Sequence, residues 1–455
     1  MPNMGRRNLL KLTASTAALA ALPAMARPSS DPASTASNGG ASVVSDAVDK
    51  LRVSHGPLTL GFDEQLRSRL LVADRAITAH AASEVLLRQS GDIASFRFTG
   101  HRVETIHDAK HGSGQRHLIT ARSNDDVVKQ VELCLYPRYP GMVVLQVEYQ
   151  NDGKQPLDIR GWRNGAHELP ETEDGFWTFS GTTHEDRRDW VQPLGIEFEQ
   201  RNTLGMDASD YGGGTPVADV WRRDVGIAVG HLEPVVRLLD LPVSRTAHGA
   251  SLALESNHPA TLAPGASLRT DRTLLCVHRG DYFVALQRYQ AYMADQGMVA
   301  PMAPGTAFAP VWCAWGYGRN FNREQILATL PKVRDMGFGW AVLDDGWQTN
   351  EGDWHIDRRK FPRGEQDMRE FAAAVKQAGL LPRLWLAPLA ADPGSDILHD
   401  HPDMLLLDQD GSVQKVSWWN AFTQCPAYQP TIDYYIALVR KILGEWGFEG
   451  IKFDG

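Results

Sequence analysis

Cysteine is scarce in these 455 residues. Cys134, Cys276, Cys313 and Cys425 lie far apart and form no C-x-x-C pair, which points away from a disulfide-stapled scaffold or a zinc ribbon. A basic surplus is lacking too, with 46 Lys and Arg against 55 Asp and Glu and a net charge of −9. Phosphate contacts need excess cations, so neither a nucleic-acid partner nor an anionic membrane surface is expected. No apolar run reaches the roughly 20 residues that span a bilayer. The phosphate-binding patterns G-x-x-x-x-G-K-[ST] and G-x-G-x-x-G are missing. His184-Glu185-Asp186-Arg187-Arg188 departs from H-E-x-x-H, and Gly112-Ser113-Gly114 is not a nucleophile elbow. What is present is an ordinary globular balance, 43% hydrophobic and 22% charged, which excludes disorder for most of the chain. The 13 Trp residues suit a sugar-binding protein and serve equally well as core filling.

The amino terminus reads as an export signal over residues 1–26. Arg6-Arg7 precede a short apolar run from Leu12 to Ala24, and Ala24-Met25-Ala26 offers the small-x-small pattern of a cleavage site. Twin arginines resemble the Tat type, which carries folded proteins; a Sec signal would lead to the same periplasmic or secreted destination. Residues 27–42 are Pro, Ser, Ala, Thr, Asn and Gly with little to bury, the composition of a flexible tether. Ordered structure is expected from Val43.

Between residues 43 and 280 the dominant period is two. Val131, Leu133 and Leu135 alternate with polar neighbours, and Val143, Leu145, Val147 and Tyr149 do the same, so this region is expected to form an antiparallel β-sandwich. At Asp281 the period changes. Tyr282, Leu286, Tyr289 and Met293 fall on one helical stripe, which makes 281–303 a connecting helix and linker closed by Gly297, Pro301 and Pro304. From 304 to 455 strands and helices alternate. Strands are expected at Ala307–Cys313, Trp340–Leu343, Pro382–Leu386 and Gly450–Phe453, with helices at Arg323–Met336, Gln366–Ala378 and Thr431–Trp446. Such βαβ repetition gives a parallel sheet. Four strands make the first half of a (β/α)8 TIM barrel, a fold that takes about 250 residues.

Active sites of such barrels lie at the strand ends. The second strand runs into Asp344-Asp345-Gly346-Trp347. A carboxylate pair accepts hydrogen bonds from sugar hydroxyls and an indole can cover a pyranose face; the same letters also make a plain turn. Calcium binding by Asp344, Asp345, Asp353, His355 and Asp357 lacks the spacing of an EF-hand loop, so no metal site is expected. Trp385 in the third strand serves as core or as a ligand platform. In the fourth strand alternation sets Lys452 and Asp454 on one face, opposite Ile451 and Phe453. A cation beside a carboxylate favours its ionised form, and an ionised Asp at a barrel mouth suits attack on an anomeric carbon. A structural ion pair is the competing reading.

Taken in order, Trp312-Cys313-Ala314-Trp315, Leu343-Asp344-Asp345-Gly346-Trp347-Gln348, Gly379-Leu380 with Trp385, Ser395-Asp396 with His401-Pro402-Asp403, and Ile451-Lys452-Phe453-Asp454 resemble the melibiase-type α-galactosidases, glycoside hydrolase family 36. Upstream, Gly212-Gly213-Gly214-Thr215-Pro216-Val217 and Trp221-Arg222-Arg223-Asp224 are similar to that family's amino-terminal β-supersandwich. The resemblance implies a retaining α-glycosidase with Asp454 as nucleophile, Lys452, Asp344 and Asp345 on the sugar hydroxyls, and Trp385 lining the pocket. It implies α-galactoside substrates and no cofactor, and leaves homo-oligomer formation open. Two departures stand out. Residues 418–426 contain no arginine where the family usually places a substrate-binding one, and the family's acid/base aspartate lies on a later strand than the four present. The alternatives are an α-N-acetylgalactosaminidase, a transglycosylase of the raffinose-synthase kind, or a truncated, non-catalytic carbohydrate-binding relic.

Overall fold

The computed structural model describes residues 49–180, 190–204, 214–235, 237–408, 410–416 and 420–454. The expected signal at 1–26, the tether at 27–42 and the start of order at Val43 lie outside the described residues, as do His184–Arg188, Gly212-Gly213 and Trp418-Trp419. The chain divides into two compact units between Val299 and Ala300.

The first unit is built on antiparallel sheets. A ten-stranded sheet carries Gly226–His231, Thr273–His278, Met142–Asn151 and Val127–Leu135 as consecutive neighbours, and an eight-stranded sheet is centred on the pair Leu157–Pro170 and Gly249–Ser256. Alternation decides which side chains meet. Along Val127–Leu135 every second residue is buried, and Val131 and Leu133 share one core with Leu145 and Val147 of the neighbouring strand and Leu252 and Leu254 of the other sheet. Lys129 falls on the same inward phase. Its ammonium is satisfied by the carbonyl of Glu84 at 2.8 Å and the Glu84 carboxylate at 3.3 Å.

Helix α1 (Tyr282–Asp295) is capped by Asp281, whose carboxylate accepts the N–H of Phe283. It belongs to the first unit: Ala285, Tyr292 and Met293 pack with Val217, Ala228, Leu274 and Cys276, and Leu286 and Tyr289 flank them. The segment expected to connect two domains is thus a layer of the first one. An amphipathic stripe needs an apolar surface to cover, and the ten-stranded sheet supplies it.

In the second unit four strands, Val311–Cys313, Trp340–Leu343, Leu381–Leu386 and Gly450–Phe453, lie parallel in sequence order. Helices α2 (Arg323–Asp335) and α3 (Glu365–Gln377) cross between the first three. A capping box of Asn322 and Gln325 starts α2, and Gly337 at φ +83° follows its end. Between the third and fourth strands come the short helix α4 (Asp396–Asp400), a three-stranded antiparallel sheet, and α5 (Gln429–Arg440), which runs into a π-turn at Lys441–Glu445. The first strand is shorter than expected. Pro310 has no N–H to give and restricts Ala309, so Gly305–Phe308 forms a 3₁₀ turn and the ladder begins at Val311.

Candidate active site

All four parallel strands end on the same edge of their sheet, and in parallel sheets ligands bind beyond the carboxyl ends of the strands. Asp344 and Asp345 follow the second strand and Asp454 the fourth; Cys313 closes the first and Trp385 sits near the end of the third. Strand register sets Trp385 beside Lys452, and the N–H of Asp454 donates to the carbonyl of Leu386 at 3.0 Å.

Around Asp454 the geometry is specific. Its Oδ2 accepts the indole N–H of Trp385 at 2.8 Å and lies 3.6 Å from the Lys452 ammonium. Oδ1 makes no hydrogen bond or ion pair among the described residues. Lys452 is closer to Asp344, with Nζ 2.9 Å from Oδ2. Partial burial, the largest influence, disfavours the Lys452 charge, yet the hydrogen bond to Asp344 and the charges of Asp344 and Asp454 together outweigh it and its pKa is raised. The thiol of Cys313 donates to the same Asp344 oxygen at 2.8 Å. Burial first, then that hydrogen bond, pushes the thiol up to about 11, so it remains a protonated donor. Asp344 Oδ1 accepts the N–H of Asp345 at 2.9 Å.

Asp345 is held from the other side. Arg319, in the loop after the first strand, places Nε 2.9 Å from Oδ2 and Nη2 2.9 Å from Oδ1, and Gln348 Nε2 donates to Oδ1 at 2.7 Å. The same Nη2 reaches Glu351 Oε1 at 2.5 Å. Gly346 makes the tight passage between Asp345 and Trp347: its φ is +105°, and a Cβ there would stand 2.8 Å from the carbonyl oxygen of Arg319. The Asp pair thus sits on a turn, and that turn is what brings the two loops together.

Trp347 departs from its expected role. Its ring is completely buried between Trp354 and Trp446, and its N–H donates to the carbonyl of Trp385 at 2.9 Å. It presents no face to a sugar, because the apolar interior beneath the strand ends takes the indole. Trp385 is likewise buried, edge-on to Trp354, and its N–H reaches Asp454. Of the five residues weighed as calcium ligands, Asp344 and Asp345 are held as above, and Asp357 is gripped by Arg359, whose hydrogen bond lowers its pKa. Asp353 and His355 instead meet Asp396, their ligand atoms within 4.8 Å of one another. Both Asp353 oxygens already accept the N–H groups of Asp396 and Ile397 at the start of α4.

Residues 308–455 match the Melibiase family model. The second of the two units thus carries a Melibiase domain. Over 378 residues it is 26% identical to the A type blood alpha-D-galactosamine galactosaminidase of Flavonifractor plautii, covering 80% of this chain and 35% of that protein. Over 147 residues it is 34% identical to the alpha-galactosidase AgaA of Geobacillus stearothermophilus, covering 30% and 19%. Two solved structures share the fold. They are an AgaA variant in complex with raffinose (TM-score 0.57, 16% identity, 89% of this chain and 65% of that one) and the alpha-galactosidase of Lactobacillus brevis (TM-score 0.58, 16%, 89% and 63%). The chain thus spans about a third of the first relative and just under two thirds of those structures. Within it, sequence reasoning singled out Asp344, Asp345, Lys452 and Asp454, which the fold brings to one edge. It missed Arg319, Gln348 and Glu351, and gave Cys313 no role.

Proposed function

We propose that the protein carrying this chain is a retaining glycoside hydrolase acting on terminal α-galactosides. The observation that carries this reading is the state of Asp454. One carboxylate oxygen is held by Trp385 and faced by Lys452, and the other is open. In this reading Oδ1 attacks the anomeric carbon while the bond to the leaving oxygen breaks, and water later releases the sugar from the glycosyl ester. Asp344 and Asp345, each fixed by a cation, accept the sugar hydroxyls more strongly as positive charge develops on the ring. The carboxyls nearby are engaged as acceptors, Asp344 by Lys452 and Cys313 and Asp345 and Glu351 by Arg319. None of them is assigned as the general acid. The four parallel strands are read as the first half of a (β/α)8 barrel, the sheets of the first unit as the family's β-supersandwich, and Arg6-Arg7 with the run after them as a Tat-type export signal.

A second reading, an amino-sugar substrate, is favoured by the name of the Flavonifractor relative, which matches four fifths of this chain, and by the missing arginine in 418–426. The test is a panel of aryl α-glycosides, galactoside, galactosaminide and N-acetylgalactosaminide among them, on the full-length gene product, with the product anomer followed by NMR. Release of the α-anomer from one of these supports retention. An inverted product, or no turnover of any of them, overturns the proposal.

A further inference from the structure

The pair Asp344 and Asp345 is clamped asymmetrically, and the less expected half of the clamp is Arg319. A guanidinium offers a planar fork to a carboxylate, and Arg319 sets it against Asp345, with Nη2 donating to Oδ1 and Nε in ion-pair contact with Oδ2. Its Nη2 also serves Glu351, whose side chain is almost wholly buried. Gln348 donates to Asp345 and accepts the N–H of Gly346, which ties the carboxylate to the turn. Lys360 binds the carbonyls of both Arg319 and Gly346, locking the two loops together. Arg319 itself is half-exposed, and its Nη1 makes no hydrogen bond or ion pair among the described residues.

A merely structural arginine would close a buried pair and leave no open edge. Here Arg319 and Gln348 together take both acceptor positions of Oδ1 and fix Asp345 in orientation, while Oδ2 meets only the Arg319 Nε among the described residues and keeps a lone pair for a further donor, at the edge where Asp454 also stands. We propose that Arg319 is a positioning and specificity-determining residue that orients Asp345 toward one particular sugar hydroxyl. The inference rests on the glycosidase reading and extends it to which group reads the sugar.

The experiment compares wild type, Arg319→Met and Arg319→Lys in the full-length protein, with 4-nitrophenyl α-galactoside and its monodeoxy analogues as substrates. Should the galactosaminide prove the substrate, its monodeoxy analogues take their place. For Arg319→Met a loss of about 100-fold in kcat/KM is expected on the parent sugar, the scale of a charged hydrogen-bonding partner. On the single analogue lacking the hydroxyl that Asp345 receives, the loss should shrink to about threefold, because the mutated residue then has nothing left to orient. Arg319→Lys keeps the charge without the fork and should lose about tenfold on the parent, mainly in KM, with the same selective recovery. It serves as the readout if the methionine variant fails to fold. Equal losses on every analogue, or none on the parent, overturn this inference while the glycosidase reading stands. A wild type inactive on every α-glycoside overturns both.

Discussion

Two lysine–carboxylate pairs, one in each unit, invite comparison. Lys129 and Glu84 are enclosed in the core of the first unit, each 2% exposed at the side chain. Lys452 and Asp344 meet at the strand ends of the second, with Lys452 35% exposed. Burial lowers the pKa of Lys129 despite its partner, whereas the partner wins for Lys452 and its pKa is raised. The difference lies in what else each pair can do. Lys129 also binds the Glu84 carbonyl and has no path to solvent, so its role ends with packing. Lys452 faces Asp454 as well, and both of these side chains stay partly exposed at the strand ends.

The sharpest way to break this contrast is Asp454→Asn in the full-length protein. Turnover of an aryl α-galactoside should fall on the order of a thousandfold or more, because the proposed nucleophile is gone while the amide can still accept the Trp385 N–H. A loss under tenfold removes Asp454 from that role. Next comes stability. Lys129→Met leaves Glu84 buried without its cation and should cost about 3 to 5 kcal/mol in urea unfolding, whereas Lys452→Met should cost about 1 kcal/mol or less. If the two cost the same, the strand-end cluster is as structural as the buried one.

Gly346→Ala tests the turn beneath the clamp. A φ of +105° and a Cβ pressed on the Arg319 carbonyl predict a cost of about 1 to 3 kcal/mol, together with a raised KM as Asp345 shifts. The last effect, spread over several pH units, concerns His167 in the first unit. Burial pushes its imidazole down to about 3, and neither ring nitrogen has a hydrogen-bond partner among the described residues. The unfolded chain therefore takes up a proton near the ordinary histidine value before the folded one does. Stability contributed by the neutral ring is complete above about pH 6.5 and is lost progressively as pH falls from there toward 3, at about 1.4 kcal/mol per pH unit. His167→Gln should flatten that part of the profile, measured as the urea midpoint against pH. An unchanged slope places the proton uptake elsewhere.

Much of this architecture was legible because its signals are local. Trp340–Leu343 is a short apolar run preceded by Gly339, and Gly450–Phe453 opens on a glycine and alternates Ile451 and Phe453 with Lys452; both form as strands with the bounds expected. Lys452 and Asp454 share a face because a strand repeats every two residues, and Asp344 and Asp345 reach the site because they directly follow a strand. Pro310, which cuts the first strand short, was a local signal too, outweighed by the apolar letters around it.

What the sequence by itself determined, then, is which residues reach the strand ends. Tertiary packing decided what each does there. An indole beside a carboxylate pair reads equally well as platform or as core, and only the neighbouring Trp354 and Trp446 consign Trp347 to the core. Arg319 and Asp345 stand 26 residues apart on separate loops, and no periodicity links them. A guanidinium fork depends on distance and direction in space, and those exist only once strand register and the Gly346 turn have brought the two loops together.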